Sequence, residues 1–115
     1  MAFPQRMYAR YPCRIAAVLR CPSRRAGLSA EVRDIGMGGA LVRLRADIRD
    51  PDVELDLPTG EEILTLRASV VRRAGPAPDD PFARQYALVF DPHFSERHKL
   101  LRLVDRVRRK LGPKS

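Results

Sequence analysis

The chain has 115 residues, enough for one domain with a modest core, and 44% of them are hydrophobic, as in globular proteins. Its net charge of +8 at pH 7 favours anionic partners such as nucleotides, nucleic acids or acidic lipids. No apolar run is long enough to span a membrane. The first residues also lack the apolar segment of a signal peptide, so a cytoplasmic protein is expected.

The first twelve residues show no regular hydrophobic pattern, and their two prolines disfavour both helix and central strand. Residues 1–12 are therefore expected to form a flexible arm, and residues 13–115 a single domain. The arm carries two arginines four positions apart, Arg6 and Arg10. Arginine presents a planar fork of donors that suits phosphate oxygens.

Six segments alternate apolar and polar residues with a period of two, which is typical of half-buried strands. They span residues 13–20, 28–33, 40–45, 52–57, 63–73 and 84–91. The Gly75–Pro81 segment is predicted to be an irregular loop in which no strand continues. The spacing of strands and turns predicts a small antiparallel barrel or sandwich.

A helix is predicted over residues 95–111. Ser95 is a favourable N-cap, and Gly112 followed by a proline would end the helix. Apolar residues at spacings of three and four form one stripe that would cover an opening of the barrel. The stripe consists of Leu100, Leu103, Val104, Val107 and Leu111. The opposite face is basic and predicted to be solvated, with contact to a partner or an acidic lipid surface as the alternative.

The cysteines and histidines indicate neither a disulfide nor a metal site. Cys13 and Cys21 bracket the first predicted strand and would lie about 26 Å apart if extended, much farther than a disulfide allows. No group of Cys and His has the spacing of zinc ligands. His93 and His98 flank the predicted helix start without a Ser, Cys or acid at a suggestive spacing, so we expect no enzyme, no metal and no cofactor.

The stretch from Asp34 to Ala40 contains three glycines and connects the second and third predicted strands. Glycines permit positive φ and let another group approach the backbone. An ionised Asp34 at the mouth of this turn can accept two hydrogen bonds, and the Watson–Crick edge of guanine offers two adjacent donors. Together with Arg6 and Arg10, Asp34 predicts a guanine-nucleotide site.

The two motifs resemble those of PilZ domains. Residues 6–10 (RMYAR) match the RxxxR motif, and residues 34–39 (DIGMGG) are similar to (D/N)xSxxG with Gly36 at the serine position. The resemblance covers nearly the whole chain and implies a mainly β fold, a six-stranded antiparallel β-barrel with a C-terminal α-helix. It also implies a bacterial receptor for cyclic di-GMP, without catalytic activity, that regulates motility, exopolysaccharide synthesis or virulence.

The resemblance also implies roles for individual residues. Arg6 and Arg10 would bind phosphates and stack near guanine, Asp34 would bind a guanine edge, and Gly39 would keep the turn open beside the ligand. At Gly36 one serine hydrogen bond would be missing, worth about 0.5–1.5 kcal/mol, so Gly36→Ser is expected to strengthen binding. We expect a ligand-gated adaptor, monomeric or homodimeric, in which cyclic di-GMP draws the arm onto the barrel and changes the surface offered to an unidentified protein partner.

Two other functions are compatible with the sequence. The missing serine also suits a degenerate PilZ protein-interaction module that does not bind the nucleotide. A small basic barrel could instead bind RNA or DNA through its arginines. The low aromatic content and the acidic strand with Asp52, Glu54 and Asp56 disfavour that alternative, so no specific nucleic acid is expected.

Overall fold

The computed structural model describes residues 9–91 and 94–111, which form six strands and one helix. These elements are β1 Arg10–Arg20, β2 Leu28–Gly36, β3 Gly39–Leu44, β4 Asp52–Pro58, β5 Ile63–Ala77, β6 Asp80–Phe90 and α1 Phe94–Lys110. The strands pair in the order β1-β2-β3-β6-β5-β4 and close into a barrel through β1 and β4, with every pair antiparallel. The prediction of a mainly β, six-stranded antiparallel barrel with a C-terminal helix is confirmed.

The core follows from the alternation of the strands. In β4, for example, Val53, Leu55 and Leu57 are buried while their polar neighbours are not, and full burial of such side chains contributes about 1.5–3 kcal/mol each. Helix α1 packs its apolar stripe against β1 and β5. The stripe is buried as predicted up to Val107, but Leu111 lies past the end of the helix and is 47% exposed. No helix of the described chain is long and apolar enough to cross a membrane.

Both ends of the domain differ from the sequence prediction by a few residues. Strand β1 begins at Arg10, three positions before the expected boundary, so the last residues of the predicted arm belong to the barrel. Pro12 fits because β4 has no partner for this part of β1, and proline is tolerated on a strand edge. Helix α1 begins at Phe94, which places Ser95 inside the helix rather than at its N-cap.

The predicted loop at Gly75–Pro81 is wrong. Strand β5 continues to Ala77 and β6 begins at Asp80, so only two residues connect them. Glycine and proline are accommodated because the β5–β6 ladder is irregular, with three register shifts. Gly75 itself has φ 85°, a conformation that glycine adopts without strain.

The β3–β4 connection has an internal anchor. Ile48 in this connection is buried, and its backbone N–H donates to the hydroxyl of Tyr86 at 2.8 Å. The same hydroxyl donates to the carbonyl of Ala46 at 2.9 Å. Tyr86 lies in β6 and is 1% exposed, so one core side chain fixes the path of a whole connection.

Candidate functional site

Arg10 and Asp34 meet on neighbouring strands at one end of the barrel. In the β1–β2 ladder Arg10 pairs with Gly36, and Pro12 pairs with Asp34. An Nη1 of Arg10 donates to Oδ1 of Asp34 at 3.4 Å. Arg10 of the first predicted motif and Asp34 of the second, 24 residues apart in sequence, are therefore adjacent through strand pairing.

A β-bulge explains why Asp34 reaches the surface of the barrel. Ala30 and Val32 are buried in one phase of β2, and strict alternation would place Asp34 in the core with them. In the β2–β3 ladder Val32 pairs with Val42 and Asp34 with Leu41, which leaves Arg33 as an extra residue. The bulge shifts the phase by one position, so that Ile35 is buried and Asp34 is not.

The carboxylate of Asp34 is held in place from the neighbouring strand. The backbone N–H of Leu41 donates to Oδ1 of Asp34 at 3.2 Å. The side chains of Arg10 and Asp34 are 17% and 27% exposed, so both charges remain accessible from solvent. All the hydrogen bonds described for Asp34 use Oδ1, and the other oxygen faces no described donor.

Gly36 closes against the start of β1. A Cβ at this position would overlap the backbone carbonyl oxygen of Ala9 and would lie 3.3 Å from Cγ of Arg10. The glycine is required by this close approach and not by a positive φ, because the positive-φ glycines of the described chain are Gly60 and Gly75. A serine therefore cannot replace Gly36 here without a shift of the backbone before Arg10.

Gly39 has a corresponding structural role on the other side of the hairpin. It pairs with Val89 of β6, and a Cβ there would overlap the carbonyl oxygen of Leu88. Beside it, the N–H of Phe90 donates to the carbonyl of Gly38 at 2.9 Å. The glycine thus allows β3 and β6 to approach each other at the end of the hairpin next to Asp34.

The structure brings three of the five predicted site residues together. Arg10, Asp34 and Gly36 form one cluster, whereas Gly39 contacts β6 and Arg6 lies outside the described residues. The expected seven-residue turn is only a two-residue connection, so Asp34 lies within β2 rather than at the mouth of a loop. The Leu41 N–H is a backbone group with no signal in the sequence. The bulge has one, since the apolar positions change from Ala30 and Val32 to Ile35.

A thiol next to this cluster has a raised pKa. Cys13 donates to the carbonyl of Val32 at 3.5 Å. Burial, with a further contribution from the negative charge of Asp34, raises the pKa of Cys13 to about 11. The thiol therefore stays protonated near neutral pH and is a poor nucleophile. Cys13 and Cys21 are both free.

A family model describing the PilZ domain matches residues 4–106, a range that includes both motifs. The chain belongs to the PilZ domain family. PilZ domains are ligand-binding and adaptor domains rather than enzymes. No curated protein sequence matches the chain significantly. Within the described residues, no cluster of His, Cys, Asp and Glu could hold a metal ion.

Solved PilZ structures share the fold at low sequence identity. The PilZ domain of YcgR from Escherichia coli, solved with cyclic di-GMP, has a TM-score of 0.75 at 12% identity, over 94% of this chain and 95% of that one. The PilZ domain of CeSA from a cellulose-synthesising bacterium has a TM-score of 0.65 at 20% identity, over 87% and 98% of the two chains.

The MrkH–cyclic di-GMP complex of Klebsiella pneumoniae has a TM-score of 0.72 at 18% identity, over 94% of this chain and 56% of MrkH. The present chain therefore spans about half the length of MrkH. Two of these three similar structures contain cyclic di-GMP.

Proposed function

We propose that this PilZ domain is a cyclic di-GMP receptor, with Arg6, Arg10 and Asp34 as its charged ligand-binding residues. The observation that carries the proposal is the contact of Arg10 with Asp34 across β1 and β2. It places a cation suited to phosphate next to a carboxylate suited to the donor edge of guanine. The family match and the two similar structures with cyclic di-GMP support the same ligand.

The ligand would replace the Arg10–Asp34 contact rather than add to it. When the guanidinium of Arg10 turns to a phosphate, Oδ1 of Asp34 becomes free of its cation. The Leu41 N–H still holds that oxygen at 3.2 Å, so the carboxylate keeps its orientation for the two guanine donors. Gly36 and Gly39 shape the backbone next to the ligand, and Arg6 would supply the second phosphate contact.

Binding of cyclic di-GMP would also change the position of the N-terminal segment and so the surface offered to a protein partner. Residues 1–9 contain Arg6 and precede β1, so a phosphate bridging Arg6 and Arg10 would draw them onto the barrel and change the surface offered to a protein partner. Fixing each residue costs about 1–2 kcal/mol of backbone entropy, so micromolar affinity is expected. We propose that the receptor acts in the bacterial cytoplasm and regulates motility or exopolysaccharide synthesis.

Isothermal titration with cyclic di-GMP at about 150 mM salt, with GTP as the control ligand, tests the proposal. Saturable binding that GTP does not reproduce is expected, together with slower amide exchange in residues 1–9 of the saturated protein. Exchange that stays unchanged at saturation would refute closure of this segment, although the receptor function would stand.

A second candidate function is a PilZ interaction module that does not bind the nucleotide. It is favoured by the position of the Ala9 carbonyl, which fills the space where a side chain at Gly36 would begin. Absence of binding heat up to about 1 mM cyclic di-GMP would favour this module over the receptor. A Kd of about 1 mM corresponds to a binding free energy of only about 4 kcal/mol.

A further inference from the structure

Strand β1 has an open edge beside helix α1. Strand β4 pairs with β1 only through Val18, Leu19 and Arg20 of β1, and β4 ends at Pro58, two residues after the partner of Val18. Among the described residues, positions 13–17 of β1 have no paired residue on that side, although Pro58 at the end of β4 lies beside the groove between this edge and α1. Such an edge presents backbone N–H and C=O groups that can pair with another extended chain.

A groove of about 450 Å³ lies between this edge and the C-terminal half of α1. On the helix side its lining includes the buried Leu103 and Val107, and on the strand side the half-buried Cys13 and Ile15. Leu111, 47% exposed, lies at its helix end. The volume is within the range of about 300–1,000 Å³ that ligand sites occupy, and the lining is largely apolar.

The charged residues around the groove have one sign. Arg14, Arg106 and Lys110 line it, and all three are exposed. The lining described for this groove includes no Asp or Glu. Nη1 of Arg106 also donates to the carbonyl of Thr59 at 3.4 Å, a long hydrogen bond that leaves its charge available to a ligand. An occupant with carboxylates would therefore be attracted and oriented by this surface.

We propose that this groove binds an extended acidic segment of a partner protein as an added strand along β1. Because side chains alternate along a strand, apolar residues of the segment would enter the groove while acidic residues reach Arg14 and Lys110. A second copy of this chain fits poorly, since it also carries a charge of +8. A nucleic acid fits poorly as well, because the groove has no aromatic side chain on which bases could stack.

The proposal goes beyond nucleotide binding and does not depend on it, because none of the groove residues belongs to the proposed nucleotide site. Two residues keep the unpaired part of β1 from non-specific strand pairing. Pro12 and the charge of Arg14 lie at the open end of β1, and such residues discourage indiscriminate edge pairing. A partner must then match the charge as well as the backbone.

The probe for this test is a displayed library of random ten-residue peptides, from which peptides that bind the full chain are selected. The competitor in solution is an excess of the variant Arg14→Glu with Lys110→Glu. We expect enriched peptides in which acidic and apolar residues alternate. Amide chemical-shift changes on addition of a synthesised peptide should map to residues 13–17 of β1 and to the last two turns of α1.

Two controls separate strand addition from simple charge attraction. Methylation of alternate peptide nitrogens on the hydrogen-bonding side should weaken binding by at least about tenfold, about 1.4 kcal/mol. The variant Arg24→Glu with Arg25→Glu, which makes the same charge change in the β1–β2 turn, should bind the peptide like wild type. Enrichment of other sequences, shifts elsewhere, or affinity unaffected by methylation or by the Arg14 and Lys110 changes would overturn the proposal.

Discussion

The contact between Arg10 and Asp34 is loose enough to be exchanged for a ligand. Its length of 3.4 Å exceeds the 2.7–2.9 Å of strong charge-assisted hydrogen bonds, and both side chains are partly exposed. Ion pairs of this kind contribute at most about 1 kcal/mol to stability. A hydrogen bond from arginine to a phosphate contributes about 1.5–3 kcal/mol, so the guanidinium gains by moving to the ligand.

Arg10→Ala separates affinity from stability. Loss of the phosphate contact should weaken cyclic di-GMP binding by roughly tenfold to a hundredfold, to or beyond the limit of a titration. The free energy of unfolding should change by less than about 1 kcal/mol. Isothermal titration and urea unfolding measure the two quantities on the same preparation.

Arg25→Ala is the matched control for this substitution. Arg25 is exposed in the β1–β2 turn, at the end of these strands opposite to Arg10, and its removal lowers the net charge equally. It should bind cyclic di-GMP like wild type. Equal affinity of the Arg10 variant and wild type would show that the site is assigned wrongly.

The close approach at Gly36 gives the family serine a cost in stability. Gly36→Ser gains a hydroxyl, but its Cβ would overlap the Ala9 carbonyl, so the start of β1 must shift. Both Gly36→Ser and Gly36→Ala are expected to lower the free energy of unfolding by about 1–3 kcal/mol, as overpacking does. Urea unfolding measures this change. Wild-type stability of both variants would mean that the chain before Arg10 takes a different path in solution.

At the scale of an element, the β3–β4 connection depends on one hydroxyl. Tyr86→Phe keeps the ring but leaves the buried N–H of Ile48 without its acceptor. A buried group without its partner costs about 1–3 kcal/mol, so the free energy of unfolding should fall by this amount. Tyr11→Phe, at a half-buried tyrosine of β1, should change it by less than about 0.5 kcal/mol. Equal effects of the two substitutions in urea unfolding would contradict the assigned role of Tyr86.

Regular spacing of apolar residues made the six strands and the helix predictable. Irregular backbone features were harder to predict. The strand containing Val53, Leu55 and Leu57 could be identified because one face is apolar throughout. The bulge at Arg33 shows in the sequence only as a change of apolar phase between Val32 and Ile35. The shifted ladder around Gly75 could not be predicted, since it depends on the register of two strands. This explains the false loop at Gly75–Pro81.

The sequence predicted the residue types of the candidate site but not their geometry. Arg10 and Asp34 are the residue types that phosphate and guanine require, and the motif resemblance located them. Their 3.4 Å contact depends on the β1–β2 register, and the position of Ala9 over Gly36 depends on the path of the backbone. Neither is encoded in a local pattern, so the effect of a serine at Gly36 could not be judged from sequence.

At the scale of the whole molecule, ion pairs join strands around the barrel. Asp56 of β4 accepts from Nε and Nη2 of Arg20 on β1, both at 2.9 Å, and from the hydroxyl of Thr65 on β5 at 2.7 Å. The hydrogen bonds from Arg20 hold the pKa of Asp56 below its ordinary value of 3.8. This carboxylate joins β4 to both of its neighbours, where the barrel closes.

The lowered pKa of Asp56 predicts loss of stability in acid. Below about pH 4 the unfolded chain binds a proton that the folded chain still excludes, so acidification favours unfolding. The contribution is complete above the unfolded pKa and disappears as the pH falls through the lowered folded pKa. Asp47, Asp79 and Asp80 have pKa values lowered by hydrogen bonds and arginine charges, and add to the same trend.

Urea unfolding at pH 7, 5, 3 and 2 of wild type and Asp56→Asn isolates the share of this residue. The amide cannot titrate, so the variant should be less stable at pH 7 by roughly 0.5–1 kcal/mol, and the difference should shrink towards pH 2. Glu61→Gln, at an exposed acid of the β4–β5 turn with no ion pair described, should follow the wild-type profile. If Asp56→Asn parallels wild type at every pH, the Arg20–Asp56 pair does not help to close the barrel against acid.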